Sequence, residues 1–139
     1  MEHVADARVS FADTDAMGIA YYANYLRWFE IGRTELLRKK GLAYRGLTNA
    51  GIHLPVVEAD VRYRSPARYD DTIRIFAEVR KTGGASIAFG YRVLREDGTL
   101  LAEGHTAHAF TDGEGKVVRV PPEVRKVLMA VASTLQKGG

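Results

Sequence analysis

Apolar and polar residues alternate near the start of the chain and then change to a helical spacing. The alternation runs from Ala5 to Phe11 and has the period of a strand that buries one face. From Asn24 onward the apolar residues recur every three or four positions, which predicts a long helix. The apolar positions are Ala5, Ala7, Val9 and Phe11 in the strand and Tyr25, Trp28, Phe29, Gly32, Leu36 and Leu37 in the helix.

The two ends of this helix and its central glycine refine the prediction. Asn24 is the expected N-cap, because its side-chain oxygen can accept a backbone N–H of the first turn. A run of cations before Gly41 suits the negative end of the helix dipole, and Gly41 is the expected stop. Gly32 lies mid-helix, where glycine costs about 1 kcal/mol relative to alanine. We therefore expect the helix to approach another element closely at Gly32.

Four more strands are predicted after a short connection, residues 42–51, that a helix could occupy. Turns are predicted at Gly83-Gly84 and at Asp97-Gly98, and the last strand runs from Leu100 to Phe110. The apolar faces of the other three strands are Val57, Ala59, Val61 and Tyr63, then Ile73, Ile75, Ala77 and Val79, then Ile87, Phe89, Tyr91 and Val93.

A small helix is predicted to close the chain. Pro121-Pro122 suits its first turn, and Val124, Leu128 and Val131 share one face. Strands joined by short turns pair antiparallel, and one long helix must cover their common apolar face. The predicted class is α+β. Without an internal repeat, low-complexity tract or linker, residues 1–139 are predicted to form a single domain.

Composition narrows the function classes. The chain has 139 residues, 46% of them hydrophobic, and no cysteine, which excludes a disulfide scaffold and a cysteine nucleophile. Its 20 Lys and Arg against 17 Asp and Glu give a charge of +3, too small an excess to predict nucleic-acid binding. No apolar run approaches the roughly 18 residues of a membrane span, and the first residues lack a signal-peptide layout. The expectation is a cytoplasmic protein.

Several common catalytic patterns are missing. No Gly-x-Ser-x-Gly motif surrounds any serine, so a serine nucleophile is not expected. His105 and His108 are three apart on a predicted strand and would point to opposite faces, which argues against a metal site. Residues 113–116 contain two glycines and a lysine but lack the spacing of a phosphate-binding loop, and a solvated turn explains them better.

The segment from Phe11 to Tyr25 carries more chemistry. It places Asp13 and Asp15 in a turn, Gly18 three residues later and an aromatic helix start beyond. The two carboxylates can be turn and cap residues, or they can bind a metal, although a hard cation wants six or more oxygens. They can also form an active site, in which backbone amides at the helix start polarise a carbonyl while one aspartate activates water or attacks the carbon.

Two segments together resemble a known family. The first contains Asp13-Thr14-Asp15-Ala16-x-Gly18, Tyr21-x-x-x-Tyr25 and Glu30-x-x-Arg33-Thr34-Glu35; the second is Tyr63-Arg64-Ser65-Pro66-Ala67-Arg68-Tyr69-Asp70-Asp71. They resemble hot-dog-fold acyl-CoA thioesterases of the 4-hydroxybenzoyl-CoA thioesterase family, especially the YbgC-type branch. The resemblance covers nearly the whole chain. It implies a curved five-stranded antiparallel sheet wrapped around one long helix.

The resemblance also implies site residues. Asp15 corresponds to the catalytic carboxylate, as general base or nucleophile, and Asp13 to a structural turn residue. The expected catalytic residues are Asp15, Gly18, which makes the site accessible, and Tyr22. The carbonyl-polarising amides are expected between Ile19 and Tyr22. Many YbgC-type members have histidine at the position of Tyr22, and a tyrosine hydroxyl, with an ordinary pKa of about 10, is a poor proton shuttle at neutral pH. The expected substrate-binding residues are Ile19, Ala20, Tyr21, Tyr25, Arg64, Ser65 and Lys81.

The implied reaction is hydrolysis of an acyl-CoA to a carboxylic acid and free CoA without a metal or redox cofactor. The alternatives are a thioester of an acyl carrier protein, an aromatic naphthoyl-CoA, and an acyl-CoA-binding module without activity. The resemblance also implies a homotetramer built as a dimer of dimers, with each acyl site at a subunit interface. An open five-stranded sheet gives a physical motive, because its unpaired edges are best covered.

Two cationic groups could hold the CoA phosphates. Arg62 and Arg64 share one strand face, with Arg68 nearby; a solvated polar face is the alternative for these residues, since Asp60 lies in the same row. The second group is Arg80 and Lys81.

Overall fold

A five-stranded antiparallel sheet and one long helix dominate the computed structural model, which describes residues 1–42 and 44–128. This confirms the predicted α+β class and the sheet. Residues 122–128 are helical, and Val131 of the predicted closing helix lies outside the described residues. The elements are β1 (Glu2–Arg8), a 3-10 turn (Phe11–Asp13), α1 (Asn24–Lys39), α2 (Tyr44–Asn49), β2 (Val56–Tyr63), β3 (Thr72–Thr82), β4 (Ser86–Arg95) and β5 (Leu100–Ala109).

The strand order in the sheet is β1-β3-β4-β5-β2. Tight turns join β3 to β4 and β4 to β5, so these three strands are neighbours in the sheet. At the β4–β5 turn the backbone of Gly98 has a φ of +95°, and its N–H donates to Arg95. Longer segments precede and follow β2. In the observed order, β1 and β2 are the two edges of the sheet.

Helix α1 packs on the inner face of the sheet and comes unusually close to it at Gly32. A Cβ at Gly32 would lie 3.0 Å from Cγ2 of Ile75 and 3.3 Å from Cδ1 of Tyr91. One turn earlier, Phe29 stacks on Tyr91 with ring centroids 4.4 Å apart. The structure confirms the close approach that the mid-helix glycine predicted. Gly41, with a φ of +80°, follows the last turn, as predicted.

A chain of hydrogen bonds crosses the buried inner face. His108 is fully buried; its Nδ1 lies 2.9 Å from the carbonyl oxygen of Leu54 and its Nε2 lies 2.8 Å from the Thr106 hydroxyl. Thr106 in turn shares a hydrogen bond with the Tyr91 hydroxyl. Burial lowers the pKa of His108 and raises that of Tyr91, so both groups are uncharged at neutral pH.

His105 points to the opposite face, as predicted, where Glu58 and Asp60 flank its ring. Within residues 1–42 and 44–128, no three His, Asp or Glu side chains are grouped as metal ligands would be. In the same ranges, no helix is both long enough and apolar enough to cross a membrane.

Three local predictions were wrong. Phe11 is 78% exposed, because β1 ends at Arg8 and the chain turns away from the sheet. Asn24 is the first helical residue and caps nothing; its side-chain amide donates to the carbonyl of Asp13 instead. The predicted apolar face of β2 is largely open, with Val57 66% exposed, because β2 is an edge strand with a register shift near its start.

Gly104 is the glycine whose replacement we expect to damage the fold most directly. A Cβ there would lie 2.9 Å from Cε2 of Phe29 and would collide with the backbone carbonyl of Asp60 in β2. We expect Gly104→Ala to lower the free energy of unfolding by about 1–3 kcal/mol, measured by urea denaturation. Gly84→Ala is the control, because its Cβ would meet only Nη1 of Arg119 at 3.8 Å. Equal stability of the two variants would contradict this account of β2 packing.

Candidate active site

Asp15 lies in a tight turn that leaves one of its carboxylate oxygens open. Oδ1 accepts the backbone N–H of Met17 at 2.8 Å, and the backbone of Asp15 bonds to both Ile19 and Gly18. Gly18 has a φ of +76°, a conformation that glycine adopts without strain. No donor among the described residues reaches Oδ2 of Asp15. Asp15 is exposed in the single chain, which leaves this oxygen open to a ligand.

Asp13, two residues earlier, is engaged on every side. Its carboxylate accepts the N–H of Ser10 at 2.9 Å and contacts the guanidinium of Arg27 at 2.8 Å. Its carbonyl accepts the N–H of Tyr21 and the side-chain amide of Asn24, both at 2.8 Å. Asp13 therefore fastens the turn to the start of α1, which is the structural part that the sequence analysis expected of it.

The start of α1 has no side-chain cap. Ala23 occupies the N-cap position, and its side chain has no acceptor to offer. The amides of Tyr22 and Ala23 donate to no acceptor in the described part of the chain, whereas the next amides already bond to Tyr21 and Tyr22. Unpaired N–H groups at the positive end of a helix dipole favour an anion or a polarised carbonyl oxygen.

Of the amides predicted to polarise the carbonyl, two are already used. The N–H of Ala20 donates to the carbonyl of Ala67 at 2.7 Å, and that of Tyr21 donates to Asp13 at 2.8 Å. The N–H of Ile19 has no acceptor among the described residues, although Ile19 faces Arg68 in an isolated antiparallel bridge. The open amides are thus that of Ile19 and, at the helix start, those of Tyr22 and Ala23, the last of which lies outside the predicted range.

The segment that follows β2 wraps around the Asp15 turn. Ala67 accepts from Ala20, and its own N–H donates to the Tyr25 hydroxyl at 3.2 Å. Tyr63, the last residue of β2, donates its hydroxyl to the carbonyl oxygen of Tyr22 at 2.9 Å. The two sequence segments that carried the family resemblance therefore meet in space, although about forty residues separate them along the chain.

The aromatic residues of the site divide into buried and exposed groups. Tyr25 is 2% exposed, and its ring meets those of Trp28 and Tyr63 edge to face at 4.8 and 5.1 Å. Burial raises its pKa. Tyr21 and Tyr22 are 41% and 64% exposed, with rings in a T-shaped pair. Tyr25 thus supports the site from the core, and Tyr21 and Tyr22 present surface to a ligand.

The other predicted substrate-binding residues do not form one group. The backbone amides of Arg64 and Ser65 both donate to Leu101, and Nε of Arg64 lies 3.6 Å from Glu103. Lys81 is at the far end of β3. Strand pairing across the sheet places Tyr63 of β2 in the same row as Ile75 of β3. Lys81 is six residues further along β3, which corresponds to about 20 Å. Within one chain, Lys81 is remote from the Asp15 turn.

Comparison with known proteins now decides the family. A model of the thioesterase-like superfamily matches residues 9–128. The chain belongs to this superfamily. The acyl-CoA thioester hydrolase YbgC of Escherichia coli O6:H1 is 36% identical over 105 residues, which cover 76% of this chain and 78% of that protein. The acyl-CoA thioesterase YbgC of Haemophilus influenzae is 35% identical over 120 residues, or 85% and 88% of the two chains.

A solved structure agrees with this assignment. The DHNA-CoA thioesterase from Staphylococcus aureus superposes with a TM-score of 0.91 at 25% identity, covering 97% of this chain and 93% of that one. The hot-dog fold and the thioester hydrolase class predicted from the sequence are thereby confirmed. As a thioesterase-like protein, the chain offers a free aspartate oxygen and an uncapped helix start on two adjoining segments.

Sequence reasoning missed three residues that organise this thioesterase-like site: Asn24, Arg27 and Tyr63. Asn24 was assigned to a cap, and nothing in the helical period marked Arg27 as the partner of Asp13. Tyr63 belonged to a segment that resembled the family, but its contact with Tyr22 depends on how β2 pairs in the sheet. The resemblance of that segment was the one available signal.

Proposed function

We propose that this chain hydrolyses acyl-CoA thioesters to a carboxylic acid and free CoA, with Asp15 as the catalytic carboxylate. The observation that carries the proposal is the uncapped start of α1, where the amides of Tyr22 and Ala23 stand open beyond the Asp15 turn. Such amides stabilise the negative charge that develops on a thioester oxygen during attack. The reaction needs no metal or redox cofactor.

Two routes share this geometry. As general base, Asp15 takes a proton from water while the water oxygen bonds to the thioester carbon; the C–S bond then breaks and the CoA thiolate takes a proton. As nucleophile, the Asp15 carboxylate itself bonds to the carbon and expels the thiolate, and water then hydrolyses the resulting anhydride. Single turnover in ¹⁸O-labelled water tests the second route: when water opens the anhydride at the Asp15 carbonyl carbon, the label stays on Asp15 and the acid leaves with an Asp15 oxygen. The first route puts the label only in the product acid.

Acyl-CoA is preferred over the other candidate substrates because the named relatives act on CoA thioesters. The DHNA-CoA thioesterase superposes as well, so an aromatic acyl group remains the second candidate. Release of free thiol from a panel of aliphatic CoA, aromatic CoA and acyl carrier protein thioesters ranks the substrates. A chain that binds acyl-CoA but releases no thiol from any of them would be a binding module. The proposal includes the cytoplasm as the location.

The exposure of the site favours an assembly. Asp15 and Tyr22 are open to solvent in one chain, whereas electrostatic stabilisation of a thioester oxygen is strongest in a water-excluded site. The edge strand β2 is open as well, with Val56 and Val57 48% and 66% exposed. A second copy that pairs along this edge would cover the strand, and we propose a dimer that assembles further into a tetramer.

The CoA phosphates need cations, and we propose Arg64 and Lys81 as partners for them. Arg64 directly follows Tyr63 and its side chain is half-exposed. Its guanidinium also forms an ion pair with Glu103. Lys81 lies about 20 Å along β3 from the sheet row of Tyr63, so we propose that it reaches the CoA from another subunit. This placement agrees with the family resemblance, which implies nucleotide contacts from a neighbouring subunit.

The aspartates provide the first test. Asp15→Asn keeps the shape but removes the charge, and kcat is expected to fall about 10²–10⁴-fold, or roughly 3–5 kcal/mol of barrier. Asp13→Asn is the matched control. It weakens the contact with Arg27, so we expect it to lower the melting temperature more than kcat. A fully active Asp15→Asn enzyme would contradict the proposed mechanism.

Assembly is tested by measuring the molar mass in solution with light scattering over a range of concentrations. We expect a mass of four chains, or of two at high dilution. Val57→Lys, which places a charge on the open edge of β2, should shift the distribution toward smaller species and lower kcat in parallel. A mass of one chain at every concentration would refute the proposed assembly.

The CoA site is tested by kinetics on two substrates. Arg64→Ala and Lys81→Ala should raise KM for acyl-CoA and leave hydrolysis of a short thioester without the nucleotide nearly unchanged. Added salt should raise KM of the wild-type enzyme for acyl-CoA, because exposed charges are screened over about 8–10 Å at ordinary ionic strength. Equal losses on both substrates would mean that these cations support the fold instead.

A further inference from the structure

Tyr63 connects the end of an edge strand to the start of the long helix. Its hydroxyl donates to the carbonyl oxygen of Tyr22 at 2.9 Å, and its ring stands perpendicular to that of Tyr25 at 5.1 Å. Tyr63 as a whole is 49% exposed. The hydrogen bond joins residues 41 positions apart in the sequence.

The carbonyl that Tyr63 contacts belongs to the peptide unit between Tyr22 and Ala23. The other end of that unit is the N–H of Ala23, one of the two open amides at the helix start. A donor on the carbonyl oxygen of a peptide polarises the unit and strengthens its N–H as a donor, by roughly 10–30% per bond in a hydrogen-bonded chain. The Tyr63 hydroxyl therefore strengthens the Ala23 N–H as a donor by binding the opposite end of the same peptide unit.

The orientation of this peptide has little other support. Besides Tyr63, the carbonyl of Tyr22 accepts only the N–H of Tyr25 among the described residues, at 3.4 Å, near the limit of a hydrogen bond. Desolvation raises the pKa of the Tyr63 phenol, with a smaller contribution from Tyr22, so the hydroxyl keeps its proton and stays a donor at neutral pH. Tyr63 is the stronger of the two restraints.

We propose that Tyr63 is a positioning residue of the thioesterase: its hydroxyl holds and polarises the peptide that presents the Ala23 N–H to the thioester oxygen. This inference rests on the proposed function and adds a residue to it. Tyr63 does not touch the reacting atoms. Its effect therefore belongs to the transition state, when charge on the oxygen is largest, rather than to substrate binding.

The surrounding contacts allow the hydroxyl to be removed without unfolding the segment. Arg64 and Ser65 are fixed by the Leu101 carbonyl, and Ala67 is fixed by Ala20 and Tyr25. A phenylalanine at position 63 keeps the ring that packs on Tyr25. We therefore expect Tyr63→Phe to fold with a melting temperature within a few degrees of the wild type.

The kinetic test compares Tyr63→Phe with Tyr69→Phe. Tyr69 is 57% exposed, and its hydroxyl has no partner in the described ranges, so its variant should match the wild type. We expect Tyr63→Phe to lower kcat about three- to tenfold with KM unchanged, the loss of one neutral hydrogen bond. If Tyr63→Phe keeps full kcat and only Tyr63→Leu is impaired, the ring supports the fold and the proposal is overturned.

A second readout follows the peptide directly. The ¹⁵N resonance of Ala23 should move in Tyr63→Phe, while that of Leu36, at the far end of α1, should stay in place; this measurement also decides the case if the variant is less stable. An unmoved Ala23 resonance overturns the proposal. A wild-type enzyme inactive on every thioester overturns the proposed function and this inference together, whereas loss of activity in Asp15→Asn but not in Tyr63→Phe overturns only the inference.

Discussion

The close packing of α1 on the sheet at Gly32 is the constraint on which the rest of the structure depends. With no side chain at that position, the helix backbone lies against Ile75 and Tyr91, and Phe29 can stack on Tyr91 one turn away. A helix held this tightly along its middle cannot shift along its axis without losing buried area. Its first residues therefore occupy a fixed position, where the Asp15 turn can be built against them.

Two aspartates separated by one residue have different parts because of the contacts around them. The Asp13 carboxylate binds Arg27 and the N–H of Ser10, and its carbonyl accepts from the helix start. Asp13 therefore stabilises the turn and has no oxygen of its carboxylate free. The turn bonds only one oxygen of Asp15. A rigid support next to a free carboxylate is what a catalytic group requires, since its position must be held without its reactive atom being used.

The single chain leaves both the site and one sheet edge open. Asp15, Tyr22 and the valines at the start of β2 are exposed, while the sheet face under α1 is closed and apolar. The proposed assembly would cover both exposed features, because a neighbouring subunit would pack on the edge strand β2 and exclude water from the Asp15 site. It would also bring a distant cation such as Lys81 to a nucleotide bound near Arg64.

The sequence by itself determined the strands β3 to β5, the extent of α1, the close approach at Gly32 and the Asp15–Gly18 turn, because period, turn chemistry and conformational preference act over a few residues. Tertiary structure decided the rest. Phe11 became exposed and Asn24 became a donor because β1 ended early and the turn folded back. The Tyr63–Tyr22 contact and the open face of β2 depend on strand order, which pairs residues far apart and leaves no local pattern.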